Sequence, residues 1–242
     1  MELRNKNVLV TGGAGFIGST LVRQLLKQDC NVYILDNFVS GRISNLNDIE
    51  ENGTLIIIKG DIRSKNLKNI LQMFKIDVVF NLAAYPFIPE SYTYPREFFD
   101  IDAAGALNLL LACRDAGVER VLHYSTSEVY GTAQRVPMDE FHPLNPASTY
   151  SVSKLAADRL CFTLYHEHNM PVIILRQFNT YGPRETHHYI IPELISQLSK
   201  SNILKLGNIK ASRDFTYVED AARGAIMLMK CDRAVGEVVN SG

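Results

Sequence analysis

The sequence has no long apolar run and almost no net charge, and each absence excludes a class of protein. None of its apolar stretches approaches the roughly 18 residues that a membrane span needs, and residues 1–6 lack the apolar stretch of a signal peptide. A formal net charge of −1 over 242 residues offers no broad attraction for nucleic acid or anionic membrane. We therefore expect a cytoplasmic protein whose partners are small molecules.

Cysteine is also scarce, which bears on redox and metal chemistry. Cys30, Cys113, Cys161 and Cys231 are scattered and form no C-x-x-C pair, so the sequence indicates neither a zinc site nor a disulfide framework. The neighbouring pair at positions 187 and 188, both histidine, has no third ligand at a recognisable spacing. We predict no metal site.

Short apolar runs that alternate with helical patterns predict the fold. Residues 55–59, 78–82, 120–124 and 172–176 are typical of buried strands, while residues 65–74, 96–116 and 149–168 are typical of helices. Such alternation indicates parallel strands that are joined by right-handed crossovers, with helices on both faces of the sheet. The prediction is an α/β protein with a Rossmann-type doubly wound parallel sheet.

The first predicted strand, residues 7–11, leads into a glycine-rich turn. Gly12, Gly15 and Gly18 recur every three residues, and Gly13 completes a G-x-G-x-x-G pattern. Glycines at such a turn let the backbone approach a pyrophosphate, and the following helix directs its unpaired amides at the phosphates. The alternative is an ordinary glycine turn with no ligand.

A carboxylate at the end of the second strand points to the cofactor. Asp36 ends residues 31–36 about 20 residues beyond the glycines, where it would accept a hydrogen bond from a ribose 2′-hydroxyl. The same charge would repel a 2′-phosphate. We therefore predict NAD rather than NADP, although the nearby Arg42 leaves NADP open.

Tyr150 and Lys154 form the most informative pair in the sequence. In a helix that begins at position 149, their four-residue spacing puts the phenol and the ammonium on one face. A free phenol has a pKa of about 10, and a neighbouring lysine and a cationic nicotinamide would both lower it. The pair predicts a tyrosine base. The alternative is a helix surface that carries a tyrosine and a solvated lysine.

The predicted strands end in polar clusters at residues 60–62, 83–84, 125–128 and 177–179. In parallel α/β sheets ligands bind beyond the carboxyl ends of the strands, so these clusters would face one crevice. Together with the motifs at 11–18, 150–154, 176–184 and 213–220, they give an order that resembles the extended short-chain dehydrogenase/reductase family of nucleotide-sugar epimerases, dehydratases and decarboxylases. The resemblance spans essentially the whole chain.

The resemblance implies a role for each matching residue. The implied NAD-binding residues are Gly12, Gly15, Phe16, Ile17, Gly18, Asp36, Asn37, Asp61, Ile62, Leu82, Ala83, Ala84, Tyr150 and Lys154. The implied catalytic residues are Tyr150, Lys154, Thr126, Ser127 and Glu128, with Tyr150 taking the proton of a sugar 4-hydroxyl. Asn179, Arg184 and Arg213 are implied to bind the nucleotide-diphosphate sugar, a role that suits an amide and guanidinium groups.

Glu128 distinguishes the possible reactions within this family. Oxidation at C4 acidifies the C5 proton, and a carboxylate beside it would remove that proton so that the C6 hydroxyl leaves as water. We therefore predict an NAD-dependent 4,6-dehydratase. A decarboxylase or a 4-epimerase of the same family, and a non-catalytic dinucleotide-binding module, are the alternatives.

Two features depart from the resemblance. Asp102 stands where the family commonly has asparagine, which predicts an additional buried carboxylate near the nicotinamide. The chain also ends at Gly242, where family members usually continue, so we expect an NAD-binding domain over residues 1–180 and a small, incomplete substrate lobe over 181–242. By analogy we expect a homodimer formed through helices 96–116 and 149–168.

Overall fold

The computed structural model describes residues 1–49, 53–185 and 189–242 of the chain. Its strands are β1 (Asn7–Thr11), β2 (Asn31–Asp36), β3 (Leu55–Lys59), β4 (Val78–Asn81), β5 (Arg120–Thr126), β6 (Val172–Gln177), β7 (Asn179–Tyr181), β8 (Phe215–Tyr217) and β9 (Val238–Ser241). Seven of them form one parallel sheet in the order β3-β2-β1-β4-β5-β6-β9, and β7 pairs with β8 in a small second sheet. From β1 the chain first extends the sheet on one side through β2 and β3. It then returns to the other side of β1, where β4, β5, β6 and β9 follow.

Helices join consecutive strands and cover both faces of the large sheet. They are α1 (Phe16–Leu26), α2 (Leu67–Met73), α3 (Ile88–Thr93), α4 (Pro95–Phe99), α5 (Ala106–Ala116), α6 (Thr149–His168), α7 (Ile190–Leu198) and α8 (Val218–Lys230). Among the described residues, no helix combines the length and the apolar character that a membrane crossing requires.

Two apolar cores lie on opposite faces of the sheet. On one face, α1 and α8 pack against β1 through residues such as Leu25, Ile226 and Val10. On the other face, α2, α5 and α6 pack against the sheet, and Leu109 and Leu9 belong to this second core. Alternate β1 residues thus point to different cores, as strand geometry requires. The predicted doubly wound α/β fold is confirmed.

The helix predicted at 96–116 differs from the structure in one respect. A π-helical turn, Asp100–Gly105, separates α4 from α5. The extra residue in such a turn changes the direction of the side chains relative to a regular helix, and π turns of this kind often occur at functional sites. The apolar pattern alone could not reveal it, because the helix continues on both sides.

The strands predicted at 120–124 and 172–176 are longer in the structure. Parallel pairing continues through Ser125 with Arg176 and through Thr126 with Gln177. The apolar pattern in the sequence ends before the strands do, because the last residues of both strands are polar. Their polarity reflects the site at the strand ends, while the backbone remains in the sheet.

Candidate active site

A large cleft opens over the carboxyl ends of the central strands, with about 1750 Å³ of space, part of it open to solvent. All twelve residues predicted only for NAD binding line it: Gly12, Gly15, Phe16, Ile17, Gly18, Asp36, Asn37, Asp61, Ile62, Leu82, Ala83 and Ala84. The lining also includes Thr126, Ser127, Glu128, Tyr150, Lys154 and Asn179. The fold therefore brings predicted residues as distant in the sequence as Gly12 and Asn179 into one crevice.

The glycine turn between β1 and α1 is packed too tightly to carry side chains. Gly12 has a φ of +68°, and a Cβ there would lie 3.0 Å from the backbone of Leu82 and Ala83. A Cβ on Gly18 would lie 2.2 Å from the carbonyl oxygen of Gly12. The bare backbone and the amino end of α1 thus face the cleft, an arrangement that suits the pyrophosphate of a dinucleotide.

Asp36 closes the adjacent part of the cleft. Its Oδ2 accepts a hydrogen bond from the Ala14 amide at 2.9 Å, and its Oδ1 accepts one from the Phe38 amide at 2.8 Å. Burial raises the pKa of this carboxyl, and the two amides oppose that rise. Each carboxylate oxygen can accept a further hydrogen bond. Asp36 is therefore equipped to accept from ribose hydroxyls, and the site fits NAD.

Asp61 is held rigidly at the end of β3. Arg63 binds both of its oxygens, through Nε at 2.9 Å and through a terminal nitrogen at 2.8 Å, and Asn37 donates to Oδ2 at 3.0 Å. The hydrogen bonds from Arg63 are the main reason that the pKa of Asp61 falls to about 2. The Asp61 carboxylate therefore stays ionised at neutral pH.

Local capping places Tyr150 and Lys154 at the start of α6. Ser148 and Ser151 form a capping box, in which each side chain accepts a hydrogen bond from the other residue's backbone amide. This capping fixes where α6 begins, so Tyr150 lies in the first turn and Lys154 lies one turn later. The Lys154 ammonium, 4% exposed, donates to the carbonyl oxygen of Tyr124.

The electrostatic prediction for Tyr150 needs correction. Burial is the largest influence and raises the pKa of its phenol, and the negative charge of Asp102 raises it further. A hydrogen bond from Thr126 acts in the opposite direction but does not prevail. The lysine and the cationic nicotinamide, from which a lowered pKa is predicted, are thus opposed by desolvation and by Asp102. The chain's own groups therefore keep the phenol protonated, and only an added positive charge in the cleft would favour the phenolate.

Ser127 and Glu128 lie in a 3₁₀ turn, Ser127–Tyr130, that follows β5 directly. The hydroxyl of Thr126 accepts a hydrogen bond from the Glu128 amide at 3.2 Å, which caps this turn. The Glu128 side chain lines the cleft on the same side as Tyr150, and its charge acts on the phenol. A carboxylate and a phenol thus share the floor of the site.

A buried ionic network fixes β5, β6 and α6 beneath this floor. Asp158 accepts hydrogen bonds from Ser125 at 2.8 Å and from the Nε of Arg176 at 2.9 Å. Arg176 also donates to the hydroxyl of Tyr130, which in turn donates to Asn240 of β9. Burial alone would raise the pKa of Asp158, but its arginine partners outweigh burial and lower it. Asp158 is therefore a structural anion.

Two further residues that the sequence does not predict lie along the cleft. Glu185 and Tyr189 line it, and Glu185 Oε2 is buried without a hydrogen-bond partner among the described residues. Burial raises the pKa of Glu185 to about 7. The charges of Glu185, Glu128 and Glu90 all act on Tyr189 and, after burial, raise the pKa of its phenol. Nothing in the sequence pattern marks Glu185, because it lies in a loop.

Two predicted substrate-binding residues lie elsewhere. Arg184 does not line the cleft; its guanidinium donates to the hydroxyls of Ser19 and Thr20 on α1, which ties the segment after β7 to the NAD-binding half. Arg213 is exposed and donates to the carbonyl of Ser212. The motifs that suggested them give sequence position but not side-chain direction. Asn179 alone of the three lines the cleft.

The predicted histidine pair at 187 and 188 lies outside the described residues. Within the described residues, no group of three or more histidine, cysteine or acidic side chains is arranged to hold a metal ion. The described cysteines are free thiols, and three of the four are buried.

Comparisons with known proteins place this geometry in a family. Residues 9–242 match the family model described as GDP-mannose 4,6 dehydratase. The chain is 35% identical to a Bacillus subtilis protein named as an uncharacterized UDP-glucose epimerase, with 97% of this chain and 76% of the relative covered.

Two solved structures match equally well. The dTDP-glucose 4,6-dehydratase DesIV from Streptomyces venezuelae, with NAD and TYD bound, has a TM-score of 0.89 and 32% identity over 97% of this chain and 74% of that one. The UDP-glucuronic acid 4-epimerase from Bacillus cereus, in complex with UDP-glucuronic acid and NAD, has a TM-score of 0.90 and 33% identity over 98% and 77%.

The fold, the residues that line the cleft and these similarities all indicate the same family. They exclude the non-catalytic dinucleotide-binding module, because the matching family consists of enzymes. The chain belongs to the extended short-chain dehydrogenase/reductase family, as an NAD-dependent enzyme of the nucleotide-sugar epimerase/dehydratase group.

Proposed function

We propose that the protein is a nucleotide-sugar 4,6-dehydratase. The observation that carries this proposal is the presence of Glu128 in the cleft beside Tyr150. A 4-epimerase needs one base for the 4-hydroxyl and room for the keto sugar to turn. A dehydratase needs a second group, able to take the C5 proton, and a carboxylate at this place suits that task.

The cofactor is held by the residues that line its half of the cleft. The glycine turn and the amino end of α1 receive the pyrophosphate, Asp36 accepts from the adenosine ribose, and Ile62 packs near the adenine. Lys154 would bind the second ribose. When bound, NAD would supply the hydride acceptor for C4 and the hydride donor for C6.

Tyr150 takes the proton of the sugar 4-hydroxyl, with Thr126 hydrogen-bonded to the same phenol. Because burial and Asp102 raise the pKa of Tyr150, the phenol needs a compensating positive charge before it acts as a base. The oxidised nicotinamide ring carries such a charge. The base is therefore active only when oxidised cofactor is present, which couples proton removal to the capacity for hydride transfer.

Elimination then requires two proton movements. Glu128 removes the C5 proton, which the new C4 carbonyl has made acidic, and the C6 hydroxyl leaves with one proton as water. That proton comes from Glu128 itself, from Ser127 through a water, or from Glu185, whose carboxyl has a pKa of about 7. Hydride at C6 and a proton at C5 complete the 4-keto-6-deoxy sugar. The net change is the loss of one water.

Glu128→Gln tests this assignment directly. The amide keeps the size of the side chain but cannot take a proton, so we expect the variant to form the 4-keto sugar and then fail to lose water. Glu167→Gln, an exposed position on α6 outside the cleft, is the matched control and should behave as the wild type. Dehydration at the wild-type rate by Glu128→Gln would overturn the role of Glu128.

A 4-epimerase is the second candidate, because similar proteins with this fold include 4-epimerases of UDP-sugars. A decarboxylase is the third. Incubation with UDP-, GDP- and TDP-sugars followed by chromatography coupled to mass spectrometry separates the three: a 4-keto-6-deoxy product, an isomer of unchanged mass but different retention, or a pentose with carbon dioxide. If purified protein with bound NAD turned over no member of this panel, the sugar-nucleotide assignment would fail.

We further propose that Asn179 binds the nucleotide diphosphate and that the chain forms a homodimer. Asn179 lines the cleft at the start of β7.

Phe99, Val152 and Phe162, on the helices expected at the dimer interface, are each more than a third exposed. Apolar side chains in such positions favour burial against a second copy. Light scattering should give twice the mass of the chain, and a monomer at micromolar concentration would contradict the dimer.

A further inference from the structure

Asp102 is a buried carboxylate to which the mechanism above gives no contact with substrate or cofactor. It lies in the π-helical turn between α4 and α5 and is 1% exposed. Its Oδ1 accepts a hydrogen bond from the Tyr85 amide at 2.8 Å. Its Oδ2 is buried and has no hydrogen-bond partner among the residues that the structure describes. A half-satisfied buried carboxylate is costly, so its retention calls for a compensating interaction.

Lys154 is the positive charge that acts on Asp102, at a longer range than a hydrogen bond or a direct ion pair. Its buried ammonium has one hydrogen-bond acceptor, the Tyr124 carbonyl, and the carboxylates whose charges act on it are Asp102 and Asp158. Asp158 is already bound by Arg176 and Arg159. Within the part of the chain that the structure describes, Asp102 forms no ion pair of its own, so its charge is the one left to offset that of Lys154.

The pair lies beside the cleft, so its charges can affect the bound cofactor. Lys154 lines the cleft, and Ile101 and Tyr85, the chain neighbour and the hydrogen-bond donor of Asp102, line it as well. Asp102 therefore sits just behind the wall of the NAD site. A fixed charge there acts on the oxidised nicotinamide, which is positive, and leaves the neutral reduced ring almost unaffected.

We propose that Asp102 is a positioning residue: as the counter-charge of Lys154, its carboxylate makes the site prefer oxidised NAD over reduced NAD. The inference rests on NAD binding, which the family shares, and does not depend on the dehydratase assignment. Phosphate and ribose contacts are common to both cofactor forms. They cancel in the ratio of the two affinities, which isolates the charge at the nicotinamide.

Three of the other ionisable groups around Asp102 carry no charge near neutral pH. The groups on the elements packed against it are Tyr150, Lys154 and Asp158 on α6, Tyr85 after β4, Arg63 after β3, Glu97 on α4, Asp100 in the same turn and His123 on β5. Burial lowers the pKa of His123 to about 3 and raises the pKa values of Tyr85 and Tyr150, so these three are neutral near pH 7.

Two carboxyls near the cleft change charge close to neutrality. Burial raises the pKa of Asp102 to about 7, with Lys154 opposing the rise, and burial raises the pKa of Glu185 similarly. Since the folded pKa of Asp102 is raised, it is charged above about pH 7 and neutral below. The preference for oxidised NAD should therefore weaken as the pH falls through this range. Glu185 provides the control for this attribution.

The test is the ratio of the affinities for NAD⁺ and NADH, measured by calorimetry from pH 5.5 to 9. We expect the wild type to lose about tenfold in this ratio towards low pH, equivalent to ~30 mV in the potential of the bound two-electron couple. Asp102→Asn should hold the low value at every pH, while Glu185→Gln should keep the wild-type step.

Several outcomes would overturn the proposal. A purely structural role for Asp102 would weaken both affinities alike and leave the ratio at its wild-type value in Asp102→Asn. A step that persists in Asp102→Asn, or one that disappears in Glu185→Gln, would assign the titration to another group. If Asp102→Asn does not fold, Asp102→Ser takes its place, and a pH-independent ratio in the wild type alone would refute the proposal.

Discussion

Replacing Gly18 with alanine would put a side chain where the turn between β1 and α1 leaves no room. The added Cβ would lie 2.2 Å from the carbonyl oxygen of Gly12 and 2.9 Å from the Cα of Gly13. Both contacts are with backbone, so no side-chain rotation relieves them. The turn must open, and it is the same turn that faces the cofactor's pyrophosphate.

Two contributions of opposite sign set the size of the effect. Alanine is favoured over glycine in a helix interior by about 1 kcal/mol, whereas extra carbon in a close-packed contact costs about 1–3 kcal/mol. The short contact at Gly18 belongs at the upper end of that range. We therefore expect Gly18→Ala to lower the free energy of unfolding by about 2 kcal/mol and, at 1.4 kcal/mol per factor of ten, to weaken NAD binding at least about tenfold.

Gly224 offers a matched control in another helix. A Cβ on Gly224, in α8, would meet only the Ser241 hydroxyl at 3.9 Å. Gly224→Ala should therefore raise the free energy of unfolding by roughly 0.4–1 kcal/mol without changing NAD affinity. Urea unfolding and calorimetric NAD titration measure both quantities. If the two substitutions stabilised the protein equally and Gly18→Ala still bound NAD normally, this account of the glycine turn would be refuted.

Three further predictions follow from the site and its supporting network. Asp158→Ala removes the carboxylate that compensates the buried Arg176, so it should lower the free energy of unfolding by about 3–5 kcal/mol in urea titrations; a loss below about 1 kcal/mol would show that the pair is dispensable. Asp61 has a folded pKa of about 2, below its ordinary value of about 3.9, so its stabilising contribution is full above pH 4 and is lost as the pH falls towards 2. Asp61→Asn should accordingly be less stable than the wild type at pH 6 and approach it only near pH 2, and a constant difference would count against the ion pair with Arg63. Tyr150→Phe should still bind NAD yet form no reduced cofactor on addition of substrate in stopped-flow absorbance; rapid reduction would exclude Tyr150 as the base.

The sequence predicts the fold well because its signals are local and repeated. Buried strands are short apolar runs, and α6 carries its own start signal in Ser148 and its own end in Asn169, which adopts a left-handed conformation. The glycine turn and Asp36 could be assigned from spacing alone, since the backbone geometry they require is the same in any dinucleotide site.

The remaining features depend on the direction of side chains and on burial, which spacing does not encode. Arg184 matches a motif, yet its positive φ of 72° and its hydrogen bonds to α1 turn it away from the cleft. The pKa of Tyr150 depends on desolvation and on Asp102, and Asp102 reaches that region through a π turn that the apolar pattern hides. Glu185 enters the cleft from a loop without periodicity.

Deuterium incorporation from solvent tests the central claim, that this cleft removes the C5 proton of an oxidised hexose, most directly. With the nucleotide-sugar panel in D₂O, a dehydratase returns its hydride internally and takes one solvent deuteron at C5. The account predicts a product that has lost one water and carries one carbon-bound deuterium, and predicts its loss in Glu128→Gln. An isomer of the substrate that is inverted at C4 and carries no carbon-bound deuterium would contradict it.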